Sequence, residues 1–452
     1  MSVLAPLFFT LRLPTRLAIF WRAYVARPKL SGALRHGPVS IVVFRLDALG
    51  DVVLTTPLFR ALKAAHPRSR LTVVVQSSYR SLLATNRHID EILTLPVMRP
   101  SWLPQGLRRL LAALCFYWTH LRKRHFDYAI SPRWDTDEHL TTFLCAMTHA
   151  STRVGYSERT TPAKQKMNAG FDRAYNLCLS PGPLQHEVQR NLAVAEALGA
   201  SACDSRLDIR VTDRDRKRAS RLLAKVPPSA KLAAVGIGAQ SPGRRWPLQR
   251  YAEVLTRLHQ LHHLWPVIVC SESEFGEAQK LAAMLPRPPV IVSGAPLREV
   301  CAVLERCELF VGNDSGSAHL AAAMGAKTLV ISRHPLNGDP NHFNSPLRFA
   351  PQGRQVRVLQ PAAGWGGCRH ACTEARPHCI LAVSVDDVVV AAQSMLGERS
   401  PVVVEGRGAK RWDTIPPALL HSHSQQALEA ALASLRAADA KPATLPGPMP
   451  WN

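Results

Sequence analysis

Acidic residues are scarce in this chain. Its 452 residues include 33 Asp and Glu against 56 Lys and Arg, a formal net charge of +23, and no acid precedes Asp47. Such an excess attracts anions: nucleic acid, an anionic membrane surface or phosphorylated substrates. Aromatic residues make up only 6% of the chain. The stacking platforms that a general single-strand binder sets among its basic residues are therefore not evident, and no nucleic-acid partner is expected. In the apolar N-terminus the longest uncharged run, Met1 to Leu11, is too short to span a bilayer. Positive charge follows that run, whereas a secretory signal carries it in front. A basic amphipathic helix lying on a membrane surface fits this segment, as does a helix packed on the protein's own body. The ten cysteines are scattered with no secretory signal before them, and read as reduced cytosolic thiols. No GxGxxG fingerprint is present, so dinucleotide binding is not indicated.

What is present is a rhythm. A β-branched apolar run at Ser40–Leu46 reads as a buried strand, and further strands at Leu71–Gln76, Ile89–Leu95 and Asp127–Ile130 alternate with helical patterns, one of them over Leu54–His66. A polar stretch with a Pro-Pro pair, Ala200 to Pro228, reads as a boundary. The rhythm then restarts, with strands at Leu232–Gly238, Pro266–Cys270, Val290–Val292, Leu309–Gly312 and Thr328–Ser332, and a closing helix over Val383–Leu396. Alternation of this kind predicts parallel sheets covered by helices on both faces. The expected divisions are a basic extension (1–38), a first Rossmann-like domain (39–205), a second Rossmann-like domain (206–398) and an appendage that is partly disordered (399–452).

Three turns carry chemistry. VGNDSGSAHLAAAMG, Val311 to Gly325, is a buried strand, an acid–hydroxyl–glycine turn and a small-residue helix. The first turn of that helix offers free N–H groups and the positive end of the dipole, a site for phosphate or diphosphate. Gly316 permits close approach of an anion, and His319 follows one turn later. A plain helix capped by Asp314 or Ser315 is the competing reading. In FRLDALGDVVLTTPLFRAL, Phe44 to Leu62, a strand and glycine turn lead to Asp51, either an N-cap or a carboxylate aimed into a cleft, with Pro57 in an early helical turn. In GIGAQSPGRRWP, Gly236 to Pro247, Arg244 and Arg245 stand where a guanidinium can grip a diphosphate, or simply sit in solvent. Glu274 follows the next strand, where doubly wound folds often place a ribose-binding acid.

Together these residues resemble glycosyltransferase family 9, the ADP-heptose:lipopolysaccharide heptosyltransferases. The resemblance rests on the strand–Gly–Asp turn and Pro-containing helix of Arg45–Pro57, the basic-x-Trp-Pro motif ending at Trp246-Pro247, the segment Ser293–Val300, and the D-S-G-x-x-H-L-A-A-A-x-G run of Asp314–Gly325, over roughly Ser40 to Leu396. It implies a GT-B fold, two Rossmann-like doubly wound domains facing across a cleft. It implies inverting transfer of a sugar from a nucleotide-diphosphate donor, ADP-heptose, to a lipopolysaccharide core or related lipid-linked glycan. Asp51 would be the general base. Arg244 would meet the diphosphate in place of the more usual lysine, and Glu274 the ribose. Ser315, Gly316 and Ser317 would offer N–H groups to the phosphates, with Asp314 and His319 supporting the sugar side. The loop Ile331–Pro346 leaves the family pattern beside the donor sugar.

No obligatory metal or other cofactor is expected, since an arginine and a helix N-terminus can stabilise the leaving group. Asp135-Thr136-Asp137 has the letters of a metal-binding DxD but falls in the other domain. Cys368, Cys372 and Cys379, with His370 and His378 interleaved, loosely meet zinc-ligand spacing. The resemblance favours unpaired thiols there. Leu103, Leu107, Leu110, Leu114, Trp118 and Leu121 recur at helical spacing beside Arg108, Arg109, Arg122, Lys123 and Arg124. That pattern suits either a core helix with a basic end or one docked on an anionic bilayer. The protein is expected in the cytoplasm, peripheral on the inner membrane. The alternatives are a GT-B nucleotide-sugar 2-epimerase, which needs further cleft carboxylates and histidines, and a basic nucleic-acid-binding protein.

Overall fold

The computed structural model describes residues 38–95, 104–201 and 204–397. The expected N-terminal surface helix, the start of the leucine pattern at Leu103 and the C-terminal appendage lie outside the described residues. Twelve strands form two six-stranded sheets, each parallel throughout. The first has the order β3-β2-β1-β4-β5-β6, from Ser40–Phe44 (β1), Arg70–Gln76 (β2), Glu91–Leu95 (β3), Tyr128–Ser131 (β4), Thr152–Tyr156 (β5) and Leu177–Leu179 (β6). The second has the order β12-β11-β10-β7-β8-β9, from Leu232–Gly236 (β7), Trp265–Cys270 (β8), Val290–Ser293 (β9), Cys307–Asn313 (β10), Lys327–Ile331 (β11) and Val356–Leu359 (β12). Both repeat the doubly wound order in which strand direction of travel reverses beside the first strand. The switch points therefore fall between β1 and β4 and between β7 and β10. Ligands bind such sheets there, beyond the strands' carboxyl ends.

The strands read as near-continuous apolar runs because helices cover both faces. β1 is buried from Ile41 to Phe44, and every residue of β7 is buried. Val53 and Leu82 of the first half belong to the same apolar cluster as Val267, Phe310 and Leu320 of the second, so the two halves share part of one core.

The first helix spans Leu49–Ala65. It starts five residues before the expected Leu54, which places Asp51 inside the first turn, where a carboxylate complements the dipole. Pro57 consequently falls in mid-helix instead of an early turn. Its ring removes the N–H that would bond the Val53 carbonyl. The Thr56 hydroxyl donates to that carbonyl at 2.8 Å, filling the gap.

The polar boundary also contained structure. Asp213–Leu222 is a helix with a Thr212/Asp215 capping box, and Ala219, Leu223 and Val226 bury against the second half. Its high charge hid a narrow apolar stripe. The expected 103–121 leucine stripe is likewise redrawn. Gln105–Phe116 is α-helical, and a π-turn over Tyr117–Leu121 closes with the Arg122 N–H donating to the Tyr117 carbonyl at 2.8 Å. The buried positions are Ala112, Ala113, Phe116, Tyr117 and Leu121, while Leu111 and Trp118 face outward. No helix of the described residues is long and apolar enough to cross a membrane.

Candidate active site

Chain leaving β1 at the first switch point runs directly into the Leu49–Ala65 helix. Ala48 occupies its N-cap position and no side chain caps it. Asp51 is therefore not a cap, and its carboxylate is bound elsewhere. Buried Arg45 reaches it at 3.1 Å through Nη2 and Asp47 at 3.2 Å through Nη1. Arg133, just past β4, adds Nη1 at 3.4 Å from Asp47 and 3.6 Å from Asp51. Burial pushes the Asp51 carboxyl up to about 6 against the pull of Arg45 and Arg133, with the neighbouring Asp47 charge adding to the rise. Asp47 is held below the ordinary carboxylate range, because Arg133 and Arg45 outweigh its burial. One carboxylate is thus fixed as an anion while its neighbour is poised near neutrality, where a general base works best.

The second half is organised by Asn313, the fully buried end of β10. Its side-chain oxygen accepts from the Trp246 N–H and the Tyr251 hydroxyl, both at 2.9 Å, and its amide donates to the Ile237 carbonyl at 2.8 Å. Trp246 fills the core and donates its indole N–H to the Val383 carbonyl at 3.1 Å. The Trp-Pro motif is therefore the anchor that holds the preceding arginines over the β10 turn. Arg244 Nη2 bonds the Asp314 carboxylate at 2.5 Å and its carbonyl at 2.9 Å. Arg245 donates to the Ala239 carbonyl at 3.2 Å and stands 3.7 Å from Glu274.

Glu274 caps its own turn through the Ser271 N–H and hydroxyl. Its carboxylate also covers Gly238, where a Cβ would meet Oε1 at 2.3 Å. Ser315 is the N-cap residue of the Gly316–Ala323 helix, yet its hydroxyl pairs with Ser317 at 3.0 Å and makes no capping bond. That first turn keeps donors for an anion, so the capped-helix reading fails here.

The two halves meet at these turns. A Cβ on Gly50 would lie 2.8 Å from the His319 ring, and one on Gly316 would lie 2.8 Å from the Leu49 side chain. The start of the helix that carries Asp51 is thereby set against the turn that carries Asp314, Ser315, Gly316, Ser317 and His319, with Arg244 bound to Asp314. Burial pulls His319 down to about 4, so it is neutral at physiological pH, and its Nδ1 is buried with no protein partner.

Several residues beside this cleft have no local sequence signal. Arg348, fully buried, spans both halves: it bonds Asp135 at 2.7 Å and Glu187 at 2.7 Å, over the Trp134 ring. His186 Nε2 meets the Ala350 carbonyl at 2.9 Å. These partners are 161 to 213 positions apart in sequence, so only the folded chain brings them together. Asp137 accepts from the Thr141 and Thr142 N–H groups at the start of the Thr141–Met147 helix. Both acids of the DxD look-alike are thus structural. In the divergent loop, His334 stacks on His342, and both side-chain polar atoms of buried Asn344 lack a protein partner. Cys368, Cys372, Cys379 and His378 converge, whereas the His370 backbone carbonyl accepts from the Asp339 N–H.

Comparison with known proteins bears on the family and the fold. The sequence profile of the family described as glycosyltransferase family 9 (heptosyltransferase) matches residues 117–334. The chain is 24% identical to the lipopolysaccharide core heptosyltransferase OpsX of Haemophilus influenzae, over 72% of this chain and 85% of that protein. It is 24% identical to lipopolysaccharide heptosyltransferase 2 of Salmonella typhimurium, over 80% of this chain and 99% of that one. A glycosyltransferase family 9 structure from Veillonella parvula superposes with a TM-score of 0.62 at 22% identity, covering 82% of this chain and all of that one. In sequence the chain is similar to glycosyltransferase family 9, and its fold is the GT-B fold of the solved structures that it resembles.

Proposed function

We propose that this glycosyltransferase moves heptose from ADP-heptose to a lipopolysaccharide core or related lipid-linked glycan, with inversion at the anomeric carbon. The observation that carries the reading is the contact that sets the helix start bearing Asp51 against the Asp314–His319 turn, with its Arg244–Asp314 pair and uncapped helix N-terminus. Asp51 accepts the acceptor hydroxyl's proton as the oxygen attacks the anomeric carbon. The glycosidic bond to the diphosphate breaks and ADP leaves. Arg244 and the N–H groups of Ser315, Gly316 and Ser317 meet the charge that develops on it, and one well-placed donor of this kind contributes about 3–4 kcal/mol. Asp314 releases part of its hold on Arg244 as the diphosphate arrives and turns toward the sugar. Glu274, with Oε2 spent on its cap, offers Oε1 to the ribose.

A lipopolysaccharide setting is supported by the Haemophilus influenzae relative, a lipopolysaccharide core heptosyltransferase, and the Salmonella typhimurium one, a lipopolysaccharide heptosyltransferase. An epimerase needs further cleft carboxylates and histidines free to act. Here Asp135 and Glu187 are bound to Arg348, and His186 to Ala350. For the lipid-linked acceptor, the Gln105–Leu121 segment with outward-facing Trp118 stacked under Arg122 supplies a face for an anionic cytoplasmic membrane surface.

A thermal-shift panel of ADP-, UDP-, GDP- and TDP-sugars tests the donor. ADP-heptose should stabilise the wild type and fail to stabilise Arg244→Ala. No stabilisation by any sugar nucleotide would sink the reading. Co-sedimentation with anionic against neutral vesicles tests the membrane face.

A further inference from the structure

The cysteine cluster is the strongest group of side chains that the transfer reaction leaves unused. Cys368 Sγ, Cys372 Sγ, Cys379 Sγ and a ring nitrogen of His378 all lie within 4.8 Å of one another. The His378 Nδ1 is 3.7 Å from Cys368 Sγ and 3.4 Å from Cys379 Sγ. A tetrahedral zinc ion with bonds of about 2.3 Å to sulfur and about 2.0 Å to nitrogen sets its ligands roughly 3.5–3.8 Å apart. The three cysteines are buried and form an isolated cluster, and none is in a disulfide. The Trp365 N–H donates to Cys379 Sγ at 3.3 Å. Donors turned toward sulfur are the outer-shell pattern of thiolate metal sites. Between Leu359 and Cys379 the chain has neither helix nor strand, so a cross-link must supply what a hydrogen-bonded ladder does not.

We propose that Cys368, Cys372, His378 and Cys379 bind one structural zinc ion that braces the donor side of the cleft. Three thiolates and an imidazole close the tetrahedron and leave no position for substrate, so the ion takes no part in the transfer. The segment it gathers presses on two loops. A Cβ on Gly243, next to Arg244, would collide with the Glu374 carbonyl at 2.1 Å, and Arg333 donates to the same carbonyl at 3.1 Å. The His370 carbonyl accepts from the Asp339 N–H at 2.6 Å and lies against Gly338. The arginine loop and the divergent 333–345 loop thus share one support.

The test is metal analysis of the full-length protein purified in reductant, with Cys372→Ser and His378→Ala beside it. One zinc ion per chain is expected in the wild type, and a large loss in both variants. Cobalt reconstitution of the chelator-treated protein should give the thiolate charge-transfer and visible bands of a tetrahedral site. Zinc removal should weaken ADP-sugar binding about tenfold, with recovery on re-addition. Three freely reactive thiols with no metal and no cobalt bands would overturn the site, as would a disulfide among the three. Iron in place of zinc would overturn the choice of ion. The link to donor binding rests on the transferase reading, but metal content and the cobalt spectrum do not. Zinc without sugar-nucleotide binding leaves the site standing and removes only that reading.

Discussion

The Cα of Gly50 rests against the imidazole of His319, so that an added Cβ would stand 2.8 Å from two ring atoms. The two residues come from opposite halves, and their contact holds Asp51 beside the Asp314–His319 turn. Gly50→Ala forces one half to shift. An overpacked core position of this kind typically costs about 1–3 kcal/mol. The expected result is a lower melting temperature with the fold retained by circular dichroism, together with a loss of transfer larger than the stability loss explains. Unchanged kcat/KM would mean the contact does not set the cleft.

Asp51→Asn removes the proposed base while leaving the donor side intact. Turnover should fall by about 10²–10⁴, with ADP-heptose still protecting against unfolding. With the carboxyl near 6 in the folded enzyme, wild-type kcat/KM should drop as pH falls below that value. Stability runs the other way. A carboxyl raised by folding holds its proton longer than the unfolded chain does, so its ionisation costs stability as pH rises from about 4 to 6. The Asn variant should be the more stable one above pH 6, and that advantage should vanish in acid. Equal turnover across the pair would refute the base assignment.

Arg244→Ala removes the proposed diphosphate contact and leaves Asp314 without its 2.5 Å partner. Steady-state kinetics should show a fall in kcat of about 10²–10³ and a raised KM for the donor. Arg244→Lys should recover part of both, since a point charge replaces a fork. Full activity in the alanine variant would exclude the arginine from the leaving-group site.

Arg348 ties Asp135 and Glu187 to the second half. Arg348→Ala takes the guanidinium from Asp135 and leaves buried Glu187 with Arg190 alone; breaking a buried pair typically costs about 3–5 kcal/mol, measurable as a lower denaturation midpoint. Although burial pushes the Glu187 carboxyl up, Arg348 and Arg190 outweigh it and hold it below the ordinary range. The pair's contribution is therefore present above that range and lost as pH falls through the folded value. Pairing Arg348→Met with Glu187→Gln should restore part of the loss; no recovery would show that the guanidinium acts by packing alone.

Much of this arrangement is written locally. β1, β2 and β8 are β-branched runs and β7 is a short apolar one, and each motif turn follows its strand directly, so Asp51, Arg244 and the Asp314–His319 turn could be read from order and spacing. β6 and β12, three and four residues long, are edge strands too short to show a pattern. The Asp213–Leu222 helix was masked by its own arginines. Arg133, Glu187 and Arg348 were invisible for a different reason. Their partners arrive from distant segments, and an arginine in a loop looks the same in sequence whether it meets water or a buried acid. His378 and His370 are indistinguishable by spacing, and only the path of the backbone sends one ring toward the sulfurs and the other residue's carbonyl toward Asp339.

The contact between Leu49 and Gly316 joins the first residues of two helices. Each helix start carries about half a positive charge, so the junction sets like poles against each other with Arg45, Arg133 and Arg244 close by. The acids Asp47, Asp51 and Asp314 offset part of this repulsion. A diphosphate seated there would supply the missing counter-charge to both halves at once. Nucleotide occupancy would then tighten the enzyme as a whole, and departure of the product would loosen it, coupling the end of each turnover to release of the grip between the two sheets.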